Sequence, residues 1–156
     1  MALPPNVGPW QSEHYVDFGE QIKRFREETE GKLRKVFQFS IEELTRELQT
    51  PVTAGGRTPI DTGALIRSLE VRTDEMPRLL QRGAEPVDYT STNPGIIATL
   101  GIGDTAYIGF TVHYGPYNEF GTVRGTPSRF FVRGAAQNWP RIVERAVRRA
   151  NSGNDS

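Results

Sequence analysis

Cysteine does not occur in this chain of 156 residues, which removes a disulfide framework, a thiolate zinc site and a cysteine nucleophile in one step. Histidine is nearly as scarce. His14 and His113 are the two in the sequence, and neither has a second histidine three or four positions away, the spacing that sets two imidazoles on one metal. No run of about 18 apolar residues occurs, so no membrane span is expected. The start, Met1-Ala2-Leu3-Pro4-Pro5, lacks the basic region and apolar stretch of a signal peptide, and a protein made and kept in the cytoplasm is expected. Hydrophobic residues at 36% and 11 prolines lie at the polar end of globular composition, which leaves surface for partners. The length suits one domain with a real core.

What is present is unevenly charged. The net charge is zero, but residues 121–156 carry seven basic and two acidic groups, against twelve basic and seventeen acidic in residues 1–120. Such a basic end fits a nucleic-acid surface, or a positive edge docking on a neighbour's negative one; the docking edge is the first choice.

After a proline-rich arm (residues 1–11), apolar residues at Phe18, Ile22, Phe25, Leu33, Val36, Phe37, Ile41, Leu44 and Leu48 have the spacing of an amphipathic helix over residues 12–50. Gly31 interrupts it, and Ser40 with Glu43 has capping-box spacing, so one helix or two meeting at a bend fit equally. Phe25, Phe37 and Phe39 read as core. Residues 51–60, with Gly55-Gly56-Arg57 between prolines, read as a mobile loop. Asp61 is placed to cap a short turn through Leu65, and Ser68–Arg72 alternates like a strand. Pro77, Gly83, Pro86 and Pro94 mark residues 73–94 as an irregular excursion. Ile96–Ile102 and Ala106–Val112, joined by Gly103-Asp104, predict an antiparallel hairpin. A last helix over 128–150 is expected to bend near Pro140, and residues 151–156 read as a disordered tail. Helices at both ends of a strand region give an α+β fold: a small antiparallel sheet of about three to five strands, packed by a long N-terminal and a C-terminal helix.

Chemistry-bearing motifs are few. Gly101-Ile102-Gly103-Asp104-Thr105-Ala106 fits a loose dinucleotide fingerprint, but a strand pattern follows where a helix N-terminus is needed to hold phosphate. His113 with Glu119 could in principle form an acid–base pair, beside the plainer reading of His113 as a hydrogen-bonded residue at a strand end. No cofactor is expected, and the chain reads as a non-enzyme. Arg141, Arg145, Arg148 and Arg149 fall one or two turns apart on the last helix, as DNA contacts that grip phosphate or as a solvated or partner-facing surface.

Two stretches resemble a known family. His113-Tyr114-Gly115-Pro116-Tyr117-Asn118-Glu119-Phe120-Gly121-Thr122, followed by Thr126-Pro127-Ser128-Arg129-Phe130-Phe131-Val132-Arg133-Gly134-Ala135, is similar to the signature of neck, tail-completion and minor tail proteins of lambdoid and related tailed phages. Pro59-Ile60-Asp61-Thr62-Gly63-Ala64-Leu65-Ile66-Arg67-Ser68-Leu69 looks like the family's upstream segment. Phe130 and Gly134 depart from it, standing where the family often has proline.

The resemblance implies a structural virion protein, assembled in the host cytoplasm, that forms a ring around the DNA channel and joins head to tail. It implies a homo-oligomer, a hexamer first and a dodecamer second. Head-completion, tail-terminator or tail-tube proteins would be its neighbours, with DNA only as passing cargo and no membrane. Gly55, Gly56, Arg57, Asp61, Tyr114, Tyr117, Glu119, Arg129 and Arg133 are the expected interface residues. Phe120 is expected to be buried and Glu119 to stay near the surface, within reach of Arg129 or Arg133. The alternative is a nucleic-acid-binding module using the basic C-terminal helix.

Overall fold

The computed structural model describes residues 18–59 and 63–153. Helix α1 (Phe18–Gln49) is followed by a 3₁₀ turn (Val52–Ala54), α2 (Ala64–Arg67), strand β1 (Leu69–Arg72), α3 (Asn93–Thr99), strand β2 (Tyr107–Phe110), α4 (Gly115–Phe120), α5 (Phe131–Gln137) and α6 (Trp139–Ser152). The architecture is α+β, with a long N-terminal helix and a C-terminal helix packed on it. The proline-rich arm, residues 12–17 and Asp61 fall outside the described residues, as do residues 154–156 of the expected tail; residues 151 and 152 belong to α6.

The chain divides into two compact units after Gly31. In the first, residues 18–31 are helical and exposed, with Arg26 bonded to Glu30 at 2.9 Å one turn on. Phe18, Ile22 and Phe25 show their apolar side chains to solvent. The core reading of Phe25 is thus corrected.

The second unit, from Lys32 onward, holds the core. Phe37, Ile41, Leu44 and Leu48 recur at helical spacing and bury one face of α1. The helix is a single run. A lone glycine costs only about 1 kcal/mol in a helix, and Gly31 has open space around it. The Ser40 hydroxyl donates back to the Val36 carbonyl at 2.7 Å, a bond made inside a helix and not at its start.

β1 and β2 form an antiparallel pair in which Leu69 faces Phe110 and Val71 faces Ile108. The three-to-five-stranded sheet is corrected to two strands among the described residues. Asn93 explains why. Its side-chain amide donates to the Leu69 carbonyl at 2.7 Å and accepts the Val71 amide at 3.0 Å, so one buried side chain satisfies the edge of β1 that a third strand would pair. Ile96–Ile102, expected as the first strand of a hairpin with Ala106–Val112, instead runs from α3 (to Thr99) into the loop that follows it. Pro94 in its first turn suits a helix start, and Ile97 and Leu100 are buried three positions apart. Gln38 of α1 donates to the Ala98 and Leu100 carbonyls at 3.1 and 2.8 Å and so caps its end.

The bend in the last helix is real and falls at Asn138, two residues before Pro140: α5 ends there and α6 begins. Asn138 donates to Glu47 of α1 at 2.5 Å. Ile142, Ala146 and Ala150 form the buried stripe of α6.

Candidate functional site

The two family-like segments fold against each other. Leu65 of α2, Val112 after β2 and Phe131 at the start of α5 form one buried cluster, with Phe110 and Tyr114 packed on it. Phe131 meets Phe110 edge to face at 5.2 Å. The Ser68 carbonyl accepts both the amide and the hydroxyl of Thr111, at 3.1 and 3.2 Å, which carries the strand pairing one residue past β1.

Residues 115–120, expected within the sheet region, are helical, because Pro116 suits the first turn of a helix and not a paired strand. Gly115 sits where a Cβ would lie 3.6 Å from the Phe110 side chain. Gly121 ends the helix with φ 78° and ψ −179°, a region open essentially to glycine alone. A Cβ there would also lie 2.7 Å from the Thr126 carbonyl oxygen. The chain then closes a tight turn: the Thr122 amide donates to the Thr126 carbonyl at 3.0 Å, and the Gly125 amide to the Thr122 carbonyl at 3.2 Å.

The chain returns along α4, with the Arg129 and Phe130 amides donating to the Asn118 and Glu119 carbonyls. Phe130 takes a left-handed conformation, φ 47°, and starts α5. The expected roles of Glu119 and Phe120 are reversed. Glu119 is buried, and its carboxylate accepts the amides of Val132 and Arg133 at 2.9 and 3.0 Å. It caps α5 from another helix, where free amides and the helix dipole favour an anion. The carboxylate is thus committed to backbone amides and not to the Arg129 or Arg133 side chains, while His113 stacks on Tyr114 edge to face at 5.3 Å. Phe120 is 71% exposed. The packing of α4 puts position 119 inward and leaves 120 outside, the opposite of a reading based on hydrophobicity alone.

Beside this junction lies a cleft of about 350 Å³, lined by Pro59, Leu65, Tyr114, Tyr117, Asn118, Thr122 and Thr126. Residues of both family-like segments meet in it. A second cleft, of about 430 Å³, holds Gly55, Gly56 and Arg57 with Glu43, Arg46, Glu47 and Arg145. The 51–60 stretch, expected as a mobile loop, is knit through Thr58 by backbone bonds: Val52 donates to Thr58, Gly56 to Pro51 and Thr58 to Thr50. Thr58 is buried, its hydroxyl on the Leu48 carbonyl at 2.5 Å. The Arg57 guanidinium carbon lies 3.0 Å from where a Cβ of Gly134 would be, so glycine at 134 leaves room for that side chain on α5.

The arginines of α6 separate. Arg145 pairs with Glu43 at 3.2 Å, and Arg149 pairs with Glu42 at 3.0 Å while lying 3.9 Å over the Phe39 ring. Arg148 pairs with Glu144 at 3.4 Å, and Arg141 is exposed. Two of the four expected DNA contacts are therefore engaged by α1. Reading α6 alone could not reveal this, since the acids lie about 100 residues earlier in the chain.

A different run keeps its charge. From Phe120 to Val143 the sequence contains four arginines and no carboxylate. Among the described residues, Arg124, Arg129 and Arg133 form no ion pair; Arg133 lies 5.7 Å over the Phe130 ring. That acid-free stretch was the available signal for a basic run from the α4–α5 connection into α5, and the sum over residues 121–156 hid it. Among the described residues no group of histidine and carboxylate side chains is placed to hold a metal, and no helix is long and apolar enough to cross a membrane. No protein-family model, curated protein or solved structure matches this chain.

Proposed function

We propose that this protein is a structural subunit of a tailed-phage particle that assembles into a ring at the neck or upper tail. The observation that supports this most is that its two family-like stretches, about 50 positions apart in sequence, share one hydrophobic cluster and line one cleft. Glu119 and Gly121 further explain why a Glu-Phe-Gly-Thr run would be kept as a unit: the carboxylate holds α5, and the glycine makes the return turn that brings α5 to it.

Assembly is supported by what a lone copy leaves uncovered. Phe18, Ile22 and Phe25 recur at helical spacing and are 74, 52 and 69% exposed, and a row of large apolar side chains on one helix face is the mark of a surface that meets a partner. Each copy would place one patch against a different patch of its neighbour, the arrangement that closes into a ring when the rotation allows. Six copies is the first choice and twelve the second. Head-completion, tail-terminator or tail-tube proteins lie above and below, and DNA passes through.

The nucleic-acid module built on α6 loses ground, because Arg145 and Arg149 meet acids of α1. The test is native mass measurement of the purified chain together with electron microscopy of particles labelled at the C-terminus. Closed six-fold or twelve-fold rings, and label at the head-to-tail junction, are expected. A chain that stays monomeric at every concentration, with no label on particles, overturns the reading.

A further inference from the structure

We propose that the surface formed by α4, the 121–130 connection and the first turn of α5 binds single-stranded nucleic acid without reading its sequence. Three arginines, Arg124, Arg129 and Arg133, stand on it without a carboxylate partner among the described residues. All three are exposed, and exposed guanidinium groups without an acid partner match a phosphate backbone, which they hold by charge and by forked hydrogen bonds. Tyr117 and Phe120 of α4 are 56 and 71% exposed, and the backbone bonds from Arg129 and Phe130 to Asn118 and Glu119 hold the arginine stretch alongside that helix; Phe130, 39% exposed, has one face under Arg133. Exposed rings beside a cationic stretch are what unpaired bases stack on, and every base offers a face, so binding is tolerant of sequence.

The surface is held in shape before any ligand arrives. Glu119 fixes α5 against α4, and the turn from Thr122 to Thr126 is closed by its own hydrogen bonds, so few backbone torsions remain to be frozen on binding. Tyr117 also borders the smaller cleft, whose lining carries no charged side chain. That suits a flat, uncharged base beside a charged backbone. A duplex hides its base faces and would use the arginines alone. The inference stands apart from the ring reading, since a single copy carries the whole surface.

The experiment is fluorescence anisotropy of the full chain with a labelled oligothymidylate at low salt, repeated up a salt series. Binding is expected, weaker for a duplex of the same length. Changing Arg124, Arg129 and Arg133 together to Gln should weaken it at least about tenfold and reduce the slope of log affinity against log salt by about 2, near 0.7 for each phosphate no longer neutralised. Arg124→Gln alone, at the exposed turn, repeats the test if the triple variant fails to fold. Tyr117→Ala and Phe120→Ala should each cost about fivefold or more, and Arg148→Gln should cost less than about twofold. Absence of binding at low salt overturns the proposal. So does equal binding of duplex with no effect of the ring substitutions, and so does a triple variant that binds the strand normally but no longer self-associates, which would give the surface to a second copy of the chain.

Discussion

Glu119 reaches across from α4 to receive the backbone amide of Val132 at 2.9 Å, and its second oxygen receives that of Arg133 at 3.0 Å. Both bonds are to a charged acceptor in a buried place, where each is worth more than a neutral one. Glu119→Ala is expected to lose about 2 to 4 kcal/mol in urea unfolding, because two amides of α5 are left without partners. Glu119→Gln, which keeps one acceptor, should lose about half as much. Equal stability of all three proteins would mean that solvent caps α5 as well as the carboxylate does.

Phe120 and Phe131 differ by position and not by chemistry. Phe131 is buried against Phe110, Leu65 and Val112, so Phe131→Ala should cost about 3 to 5 kcal/mol, the usual loss for a buried aromatic. Phe120→Ala should change stability by less than about 0.5 kcal/mol. Chemical denaturation of the two variants side by side checks this, and a large loss at Phe120 would contradict its exposure.

The same pair shows what is legible in the sequence and what is not. Helical spacing locates α1 and α6, and alternation locates β1, because those patterns come from local geometry and from burial on one side. Ile96–Ile102 reads as a strand because a short apolar run fits a buried strand or a buried helix turn equally; the deciding interactions are long-range, from Asn93 to β1 and from Gln38 to the end of α3. The site is legible as a motif but not in its orientation. Which of Glu119 and Phe120 faces inward depends on where α5 begins, and no local pattern encodes that. The pairing of Arg145 and Arg149 with Glu43 and Glu42 likewise exists only once α6 lies on α1.

Those pairs make a further prediction. They are partly exposed, so each couples by about 0.2 to 1 kcal/mol, and the stacking of Arg149 on Phe39 adds about 0.5 to 1 kcal/mol. Arg149→Ala should therefore cost about 1 kcal/mol, more than Arg145→Ala, and Arg148→Ala almost nothing. Double-mutant cycles of Arg149 with Glu42 and with Phe39 separate the two parts. Raising the salt should shrink the first coupling more than the second.

The last prediction concerns acid. Asp74 is held well below the usual carboxylate range, at about 2, chiefly by its side-chain hydrogen bonds with Arg72, which reach it at 2.9 and 2.8 Å. Asp88 is lowered in the same direction, first by the Thr90 hydroxyl and then by the Thr90 amide. A carboxylate whose folded value lies below its unfolded one binds more protons when the chain is unfolded, so stability rises with pH across the interval between the two values. The contribution is fully present above the unfolded value of about 4 and is lost as pH falls through about 2. Asp74→Asn removes the titrating group, so its stability should fall less steeply with acid over that interval than that of the unaltered protein. Carboxyl carbon shifts followed by NMR should place the Asp74 midpoint near 2. If it titrates near 4, with a pH profile that Asp74→Asn leaves unchanged, then Arg72 and Asp74 do not hold each other in solution.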